Sequence, residues 1–379
     1  MLTFRPETEA QLVEAVQAAI AERRRLEILG LGSKRAIGRP VQADAVLDLS
    51  GLKGILAYDP AELVLTARAG TPLSEIEAAM GEARQHFAFE PFRPAALLGS
   101  ADQTLGGLVA AGLAGPRRIQ AGSVRDHVLG FSGVSGRGEA FKAGGKVVKN
   151  VTGFDLSKLM AGSWGTLAAL SEITLKALPR PETEQTLAVS GLSEAEGGAF
   201  LAAAMGSAAD VTGAAMAGGQ ALVRLEGIAP SVAYRAGLIR ALTGGEVTVH
   251  DAAASAATWA AIRDGAAFAD RPGVVWRVSC APSAGPGLVA ALRGEMPVEA
   301  VYDWQAGLVW LRLDAPHAEL LRTHLARAGG GHATLIRADA PTRRATPCFQ
   351  PQDPALAALT QRVRAAFDPL GLFNPGRMD

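Results

Sequence analysis

The chain has 379 residues, 49% of them hydrophobic, and its 37 basic and 37 acidic residues leave a formal net charge of zero. This length predicts two or three domains with ample core, and the net charge of zero excludes the global basic field expected of a nucleic-acid-binding protein. The two cysteines, Cys280 and Cys348, form no CxxC motif, which argues against a metal or iron–sulfur site in this chain and fits a reducing compartment.

The N-terminal sequence predicts a cytoplasmic protein. MLTFRPETEA carries acids and proline where a signal peptide needs a basic start and an apolar run. No stretch reaches the roughly 18 uninterrupted apolar residues of a membrane span. Any membrane association is therefore expected to come through a partner.

The first part of the chain alternates helices with short strands. Thr8 has capping-box spacing before an amphipathic helix, and an apolar strand then runs into the glycine-rich segment LGLGSKRAIGRP. Further strands are predicted over 45–49 and 63–69, and Thr71 is predicted to cap a helix that has Pro72 at its first position.

Neither common nucleotide-binding motif fits the glycine-rich segments. In a Rossmann unit the first glycines would open a helix, but Gly38 and Pro40 end any helix almost at once, and Arg35 stands where the third glycine belongs. A Walker loop fails because Lys146 is followed by Val147.

Three separated glycine clusters suggest a long ligand. Each is either an ordinary turn or a loop whose backbone amides converge on a phosphate. Several in one region, without a Walker or Rossmann pattern, favour a ligand with an anionic and a planar part, such as a flavin dinucleotide. The clusters are Gly30-Leu31-Gly32-Ser33-Lys34, Thr104-Leu105-Gly106-Gly107 and Gly162-Ser163-Trp164-Gly165-Thr166.

Lysine and asparagine are concentrated in one stretch. The chain has seven lysines, five of them between Lys142 and Lys176, and its two asparagines are Asn150 and Asn374. A reducible ring system needs donors and positive charge of this kind, because reduction places negative charge on the ring. The alternatives are a solvated basic face for the lysines and ordinary turns for the asparagines.

The proline pair Pro179 and Pro181 marks the predicted end of the first domain. Beyond it, strands alternate mostly with helices, which predicts a two-layer α+β unit with a mainly antiparallel sheet. Strands are predicted near 186–190, 220–226, 246–250, 274–279, 298–304, 308–313 and 332–337, and helices near 231–242, 254–264 and 316–327. Asp353 and Pro354 then start a tail helix with one apolar face, which leads into DPLGLFNPGRMD.

At this point the motifs resemble a known family. Residues 1 to about 180 resemble the FAD-binding, PCMH-type domain of the p-cresol methylhydroxylase and vanillyl-alcohol oxidase superfamily, and AAFDPLGLFNPGRMD resembles its closing segment. The segments KVVKNVTGFDLSKLMAGSWGTLA and GGHATLIRA resemble the small flavin subunit, the E subunit, of bacterial glycolate oxidase. The superfamily motifs are LGLGSK, LTARAGTPLSEI, TLGGLVAAGLAG, GSVRDHVLGFSGVSGRGEAFKAGG and GFDLSKLMAGSWGTLAALSEITLKALP.

The resemblance implies an α+β fold. Residues 1–180 would form a PCMH-type FAD domain of two α/β subdomains, 181–340 a smaller α+β cap domain, and 341–379 a segment that returns to the FAD domain. The FAD would be non-covalent, because the first glycine loop lacks the histidine or cysteine that some members use. His127 is the alternative attachment point, but a single histidine among apolar residues is more often structural.

The resemblance also assigns cofactor-binding residues. The first glycine loop would wrap the pyrophosphate, the segment 104–112 would lie against the dinucleotide and the ring, with Asp126 bracing its neighbour, and the segment 165–170 would meet the adenosine half. The assigned residues are Gly30, Leu31, Gly32, Ser33, Lys34, Thr104, Gly106, Gly107, Gly112, Asp126, Asn150, Gly165, Thr166, Leu170, Asn374 and Arg377.

Catalytic residues are less clear, because the sequence has no histidine cluster like the metal motif of the family's larger catalytic subunits. The candidates are His332, Lys146 and Lys149, and no metal is expected. Three arginines that could meet an anion or a partner surface are Arg337, Arg343 and Arg344.

The favoured hypothesis is an FAD-binding subunit of a glycolate oxidase complex that oxidises glycolate to glyoxylate and passes electrons to a non-nicotinamide acceptor. Its expected partners are a catalytic flavin subunit, an iron–sulfur subunit and a small 2-hydroxy acid. It would be cytoplasmic, or peripheral to the inner membrane through partners. The alternatives are a stand-alone FAD-dependent oxidoreductase for another 2-hydroxy acid such as D-lactate, and a structural FAD-binding subunit without turnover.

Overall fold

The computed structural model describes residues 1–100, 102–145 and 154–379. Its first part contains a three-stranded parallel sheet of order β1-β3-β2 and a five-stranded antiparallel sheet of order β4-β5-β9-β7-β8, with β6 and β10 forming a separate pair. The strands are β1 (Leu2–Phe4), β2 (Leu26–Leu29), β3 (Ala45–Asp48), β4 (Ile55–Asp59), β5 (Val64–Arg68), β6 (Gln85–His86), β7 (Val128–Ser135), β8 (Ala140–Gly144), β9 (Ala168–Lys176) and β10 (Leu178–Pro179). The helices are α1 (Glu9–Ala21), α2 (Leu73–Glu82), α3 (Ala95–Leu98), α4 (Leu105–Ala111), α5 (Arg118–Ala121), α6 (Val124–His127) and α7 (Leu156–Met160).

Two helix starts differ in detail from the sequence prediction. Thr8 caps α1 by accepting from the Gln11 amide at 3.2 Å, but the Gln11 side chain accepts from the Glu7 amide instead of closing a box with Thr8. Pro72, predicted at the first helical position, is the N-cap of α2. The Thr71 hydroxyl does not cap that helix because it donates to the Arg68 carbonyl at 2.7 Å.

The second part is built around one eight-stranded antiparallel sheet of order β14-β11-β13-β12-β16-β17-β15-β18. Each half has the chain order β-α-β-β-α-β, and the halves meet at the single pair Met216 and Tyr302. The strands are β11 (Thr183–Ser190), β12 (Gly213–Ala217), β13 (Gln220–Gly227), β14 (Val247–His250), β15 (Val274–Ser279), β16 (Glu299–Asp303), β17 (Leu308–Leu313) and β18 (His332–Arg337). The helices are α8 (Glu194–Met205), α9 (Ala229–Arg240), α10 (Ala252–Arg263), α11 (Gly285–Arg293) and α12 (Ala318–Arg327).

Strand β12 and helices α8 and α11 were not predicted from the sequence. The strand reads GAAMA, without the β-branched or aromatic residues that usually indicate a strand. It is a strand because β13 and β16 pair with it on both sides, so tertiary context overrides its weak local preference.

The large sheet separates two apolar cores. One face packs against α8, α9, α11 and α12. The other face places Trp310, together with Trp259 of α10, against Phe92 and Trp164 of the N-terminal part. The sheet is thereby fixed against the segments that carry the predicted cofactor residues.

The tail returns to the N-terminal part. After α13 (Ala340–Ala345) and α14 (Pro354–Phe367), the Leu26 amide donates to the Leu372 carbonyl at 2.7 Å, so the chain runs beside β2. Asp353 caps α14, as predicted, but Leu356 and Leu359 on its apolar face are 44% and 47% exposed. Within the described ranges, no helix is both long and apolar enough to cross a membrane.

Candidate functional site

The segment after β2 forms an open backbone loop. A side chain at Gly30 would overlap the Thr104 side chain, so only glycine lets these two segments approach each other. Gly32 has a left-handed φ of +69°, and among the described atoms none lies within 4 Å of where its side chain would start. The loop therefore exposes main chain to open space beside Ser33 and Lys34, both of which are buried.

The start of α4 forms the second wall. Thr104 is the N-cap, and its hydroxyl accepts from the Gly107 amide at 3.2 Å. The Gly106 amide donates to the Ala69 carbonyl at 2.7 Å, and a side chain at Gly106 would lie only 3.0 Å from that oxygen. Glycine is favoured here because the helix packs closely on Ala69, the residue that follows β5.

Asn374 connects the tail to two other segments. It has a left-handed φ of 44° and is buried. Its Oδ1 accepts from the Ile28 amide at 2.8 Å, and its Nδ2 donates to the Trp164 carbonyl at 2.8 Å. A side chain at Gly165 would lie 2.7 Å from that Nδ2. The asparagine is therefore more than a turn residue, because it fixes the first loop relative to the loop before β9.

Arg377 completes this wall. Its guanidinium donates to the carbonyls of Arg35 and Ile37 at 3.1 and 2.9 Å, while its buried Nε has no partner among the described atoms. Burial lowers the pKa of Arg377 to about 10, so the group stays cationic at neutral pH. The tail thus places a positive charge beside the first loop.

These segments line one open cleft of about 710 Å³, a volume that includes the solvent space at its mouth. Twelve of the assigned cofactor residues line it: Gly30, Leu31, Gly32, Ser33, Lys34, Thr104, Gly106, Gly107, Gly165, Leu170, Asn374 and Arg377. Thr166 lines an adjoining cleft of about 770 Å³ that shares Asn374 and Arg377.

Among the described residues, Gly112 and Asp126 do not line this cleft. Gly112 ends α4 with a φ of 66° and lies against Gly162, where a side chain would be 3.0 Å from the Gly162 backbone. Asp126 accepts from the Ser123 amide and hydroxyl at 2.8 and 2.9 Å and so caps its own helix. Asn150, with the catalytic candidates Lys146 and Lys149, lies outside the described residues.

The other candidates have structural partners or lie on the surface. His332 is exposed at the start of β18. Arg337 donates to the carbonyls of Phe268, Arg271 and Gly273, and Arg343 donates to the Gly38 carbonyl at 2.9 Å. His127 is buried with its Nε2 2.8 Å from the Ala121 carbonyl oxygen, a helix-end contact. Arg344 is exposed.

One partner that sequence reasoning missed is Gln103. Its Oε1 accepts a hydrogen bond from Lys34 Nζ, and its Nε2 donates to the Phe92 carbonyl at 3.0 Å. Nothing in the sequence distinguishes this glutamine from a surface residue. Its role depends on a contact between positions 69 residues apart.

The cleft fits an elongated diphosphate such as that of FAD. Open main chain at Gly32 can approach phosphate oxygens, buried Lys34 and Arg377 supply positive charge, and Arg377 Nε is a donor without a protein acceptor among the described residues. The apolar lining, including Leu49, Ala168 and Leu170, suits the ribose and ring parts.

Lys34 gives the cleft a predicted pH dependence. Burial lowers the pKa of its ammonium to about 7, and the nearby Asp102 carboxylate only partly opposes this. A bound diphosphate favours the charged form, so FAD binding should take up a proton. The affinity for FAD should then fall by up to about tenfold per pH unit as the pH rises from about 7 to about 9.

Lys34→Met should remove this dependence of FAD affinity on pH, whereas Lys53→Met, at an exposed lysine, should keep it. Fluorescence titration of FAD across this pH range measures both, and an unchanged slope in Lys34→Met would contradict the assignment.

Known proteins are similar to this chain in sequence and in fold. A family model described as an FAD binding domain matches residues 2–144. The glycolate oxidase subunit GlcE of Escherichia coli (strain K12) is 39% identical over 368 residues, covering 97% of this chain and 96% of that protein. The glycolate oxidase subunit GlcD of Bacillus subtilis (strain 168) is 34% identical over 149 residues, 39% of this chain and 30% of that protein. A solved structure of alkyldihydroxyacetonephosphate synthase has a TM-score of 0.68 at 14% identity, covering 98% of this chain and 76% of that chain, which shows a shared fold.

Proposed function

From the premise that the chain belongs to the family of the glycolate oxidase subunit GlcE, we propose that it is the FAD-binding subunit of a glycolate oxidase complex. The complex would oxidise glycolate to glyoxylate and pass the electrons to a non-nicotinamide acceptor. The bound FAD would supply the electron-accepting ring system.

The observation that carries this proposal is the cleft between four segments that are distant in sequence. Residues 28–35, 104–111, 164–170 and 374–377 meet there, and they include most of the assigned cofactor residues. Within it, the first loop would hold the diphosphate, Lys34 and Arg377 would offset its charge, and Asn374 would keep the loops in place. These roles of the individual residues are part of the proposal.

We further propose that substrate oxidation requires partners, namely a catalytic flavin subunit and an iron–sulfur subunit. The six histidines of the sequence form no cluster like the metal motif expected of a catalytic subunit. GlcE and GlcD are both described as glycolate oxidase subunits, which supports a multi-subunit assembly. Any contact with the inner membrane would come through those partners.

Anaerobic reduction of the purified chain tests the proposal. The chain alone, loaded with FAD, is mixed with glycolate or D-lactate and its flavin absorbance is followed, and the same is done with the complex isolated from its native host. Glycolate is expected to bleach the flavin only in the complex. Bleaching of the isolated chain would instead establish a stand-alone oxidoreductase, and flavin in this subunit that never bleaches in the complex would establish a structural role.

A further inference from the structure

A strained turn follows β16, where the large sheet meets the N-terminal part. Trp304, Gln305 and Ala306 have φ values of 51°, 60° and 70°, a left-handed conformation that costs roughly 1 kcal/mol for each non-glycine residue. The turn is held in place because the Trp304 amide donates to Asp303 Oδ1 at 2.7 Å and the indole Nε1 donates to the Gly115 carbonyl at 2.9 Å. Backbone strain that neighbouring contacts hold in place in this way occurs frequently at functional sites.

Two arginines converge on the Trp304 ring. The Cζ atoms of Arg118, at the start of α5, and Arg277, on β15, lie 4.3 and 4.7 Å from the ring centroid. Arg277 makes one side-chain hydrogen bond within the described ranges, to the Ala114 carbonyl at 3.1 Å, and Arg118 makes none there. Stacking uses the flat faces of the guanidinium groups and leaves their N–H edges available.

Neither arginine forms a salt bridge within the described ranges. No carboxylate of the described residues lies within 4 Å of either guanidinium, and the remaining positions, 101 and 146–153, contain no aspartate or glutamate. Arg118 is exposed, so a small ligand can reach it directly, whereas Arg277 is largely buried. Burial and the neighbouring Arg118 charge lower the pKa of Arg277 to about 10, so it remains cationic at neutral pH.

Arginines that only support the fold look different in this chain. Arg235 donates to Ser231, to the carbonyls of Ala209 and Asp210 and to the carbonyl of Glu226. Arg337 is similarly saturated by carbonyl groups. Arg118 and Arg277 therefore keep N–H donors free beside one ring, and a guanidinium with free N–H groups can bind a carboxylate bidentately.

Asp303, beside this pair, does not neutralise it fully near neutral pH. The side chain is 1% exposed, and its Oδ2 has no partner among the described atoms. Burial raises the pKa of Asp303 to about 7; Glu90 adds to the increase, while the Trp304 amide and the charges of Arg224 and Arg277 oppose it. Below this pH the carboxyl is mostly protonated, and above it an aspartate charge would compete with an incoming anion.

We propose that Arg118 and Arg277, beside Trp304, bind the carboxylate of a small 2-hydroxy acid or of its 2-oxo acid product. The substrate class rests on the proposed function, whereas the free donors and the convergence on one ring are properties of the structure. The site lies against the loop that follows α4, because Arg277 and Trp304 donate to the Ala114 and Gly115 carbonyls of that loop. The first turn of α4 lines the cofactor cleft.

Calorimetric titration of the FAD-loaded full chain with oxalate tests this site, because oxalate carries the carboxylate but no oxidisable C–H bond. Arg118→Met and Arg277→Met are each expected to weaken oxalate binding about tenfold or more, with partial recovery in Arg277→Lys. Arg240→Met, at an exposed arginine at the end of α9, is the matched control and should bind as the unmodified chain does. Affinity should also fall as the pH rises through about 7, and Asp303→Asn should remove this fall.

Unchanged oxalate affinity in Arg118→Met and Arg277→Lys would overturn the site, as would equal weakening by Arg240→Met. Arg118 is exposed, so its variant decides the question even where Arg277→Met fails to fold. Equally tight binding of inorganic phosphate would overturn the assignment to a carboxylate. The FAD content of each preparation is read separately by absorbance: a chain that takes up no FAD contradicts the proposed function, whereas a yellow chain indifferent to these substitutions contradicts only this inference.

Discussion

Gly32→Asp is expected to abolish FAD retention while leaving the chain folded. The φ of +69° at Gly32 is one that aspartate tolerates better than most residues, at a cost of about 1 kcal/mol. Among the described atoms none would contact the new side chain at its base, so it enters the open cleft. Its carboxylate would lie where the proposal places the diphosphate, and repulsion between like charges costs several kcal/mol. We therefore expect FAD to bind about 100-fold more weakly or worse.

The ratio of flavin to protein absorbance after purification, followed by FAD titration, measures this effect. Gly191→Asp is the matched control, because Gly191 also has a positive φ, of +80°, and open space around the new side chain, but lies in the large-sheet part of the chain. It should retain FAD at a similar melting temperature. A yellow Gly32→Asp protein, or equal loss of FAD from the control, would show that the first loop does not hold the cofactor.

The family, the fold class and the FAD cofactor could be predicted from the sequence, and the comparisons confirm them. They were accessible because glycine loops such as Gly30–Lys34 and Thr104–Gly107 carry their chemistry locally: the spacing of glycines, a cap and a cation defines what the backbone can hold. The individual cofactor contacts remain predictions, although the structure gathers most of these residues around one cleft.

Local patterns leave a residue's role open where one residue type serves two purposes. Asp126 has the same spacing to Ser123 whether it braces a loop or closes a capping box, and the structure has the capping box. Leu356 and Leu359 have helical spacing whether or not a neighbour covers them, and here they are exposed. Such ambiguity follows from short-range patterns, which determine an element but not its neighbours.

The charged contacts between the two parts of the chain could not be predicted. Glu90 and Arg224 are 134 positions apart, and neither belongs to a motif. Glu90 also has a left-handed φ of 49°, which no sequence signal indicates. Long-range pairs of this kind depend on how the large sheet docks.

Arg224→Met is expected to destabilise the chain by about 3–5 kcal/mol, because buried Glu90 then loses its bidentate partner and keeps only its contacts with Arg117. Arg224 is 1% exposed, donates to both oxygens of Glu90 at 2.7 and 3.0 Å, and lies over the Trp259 ring. Burial alone would raise the pKa of Glu90, but Arg224 and Arg117 outweigh it and lower the pKa to about 2. This ionised carboxylate therefore contributes stability at neutral pH that is lost as the pH falls from about 4 through about 2.

Urea unfolding at two pH values separates this charge effect from simple loss of packing. Without Arg224 the pKa of Glu90 should rise, so the deficit of Arg224→Met should be smaller near pH 4 than near pH 7, provided the unmodified chain remains two-state there. The double variant Glu90→Gln/Arg224→Met should recover much of the lost stability, because it removes the buried carboxylate together with its bidentate partner. Arg293→Met, which breaks a largely exposed pair with Glu194, is the control and should cost less than about 1 kcal/mol. A deficit that is the same at both pH values and in the double variant would mean that Arg224 stabilises the interface by packing on Trp259, and that its charge contributes little.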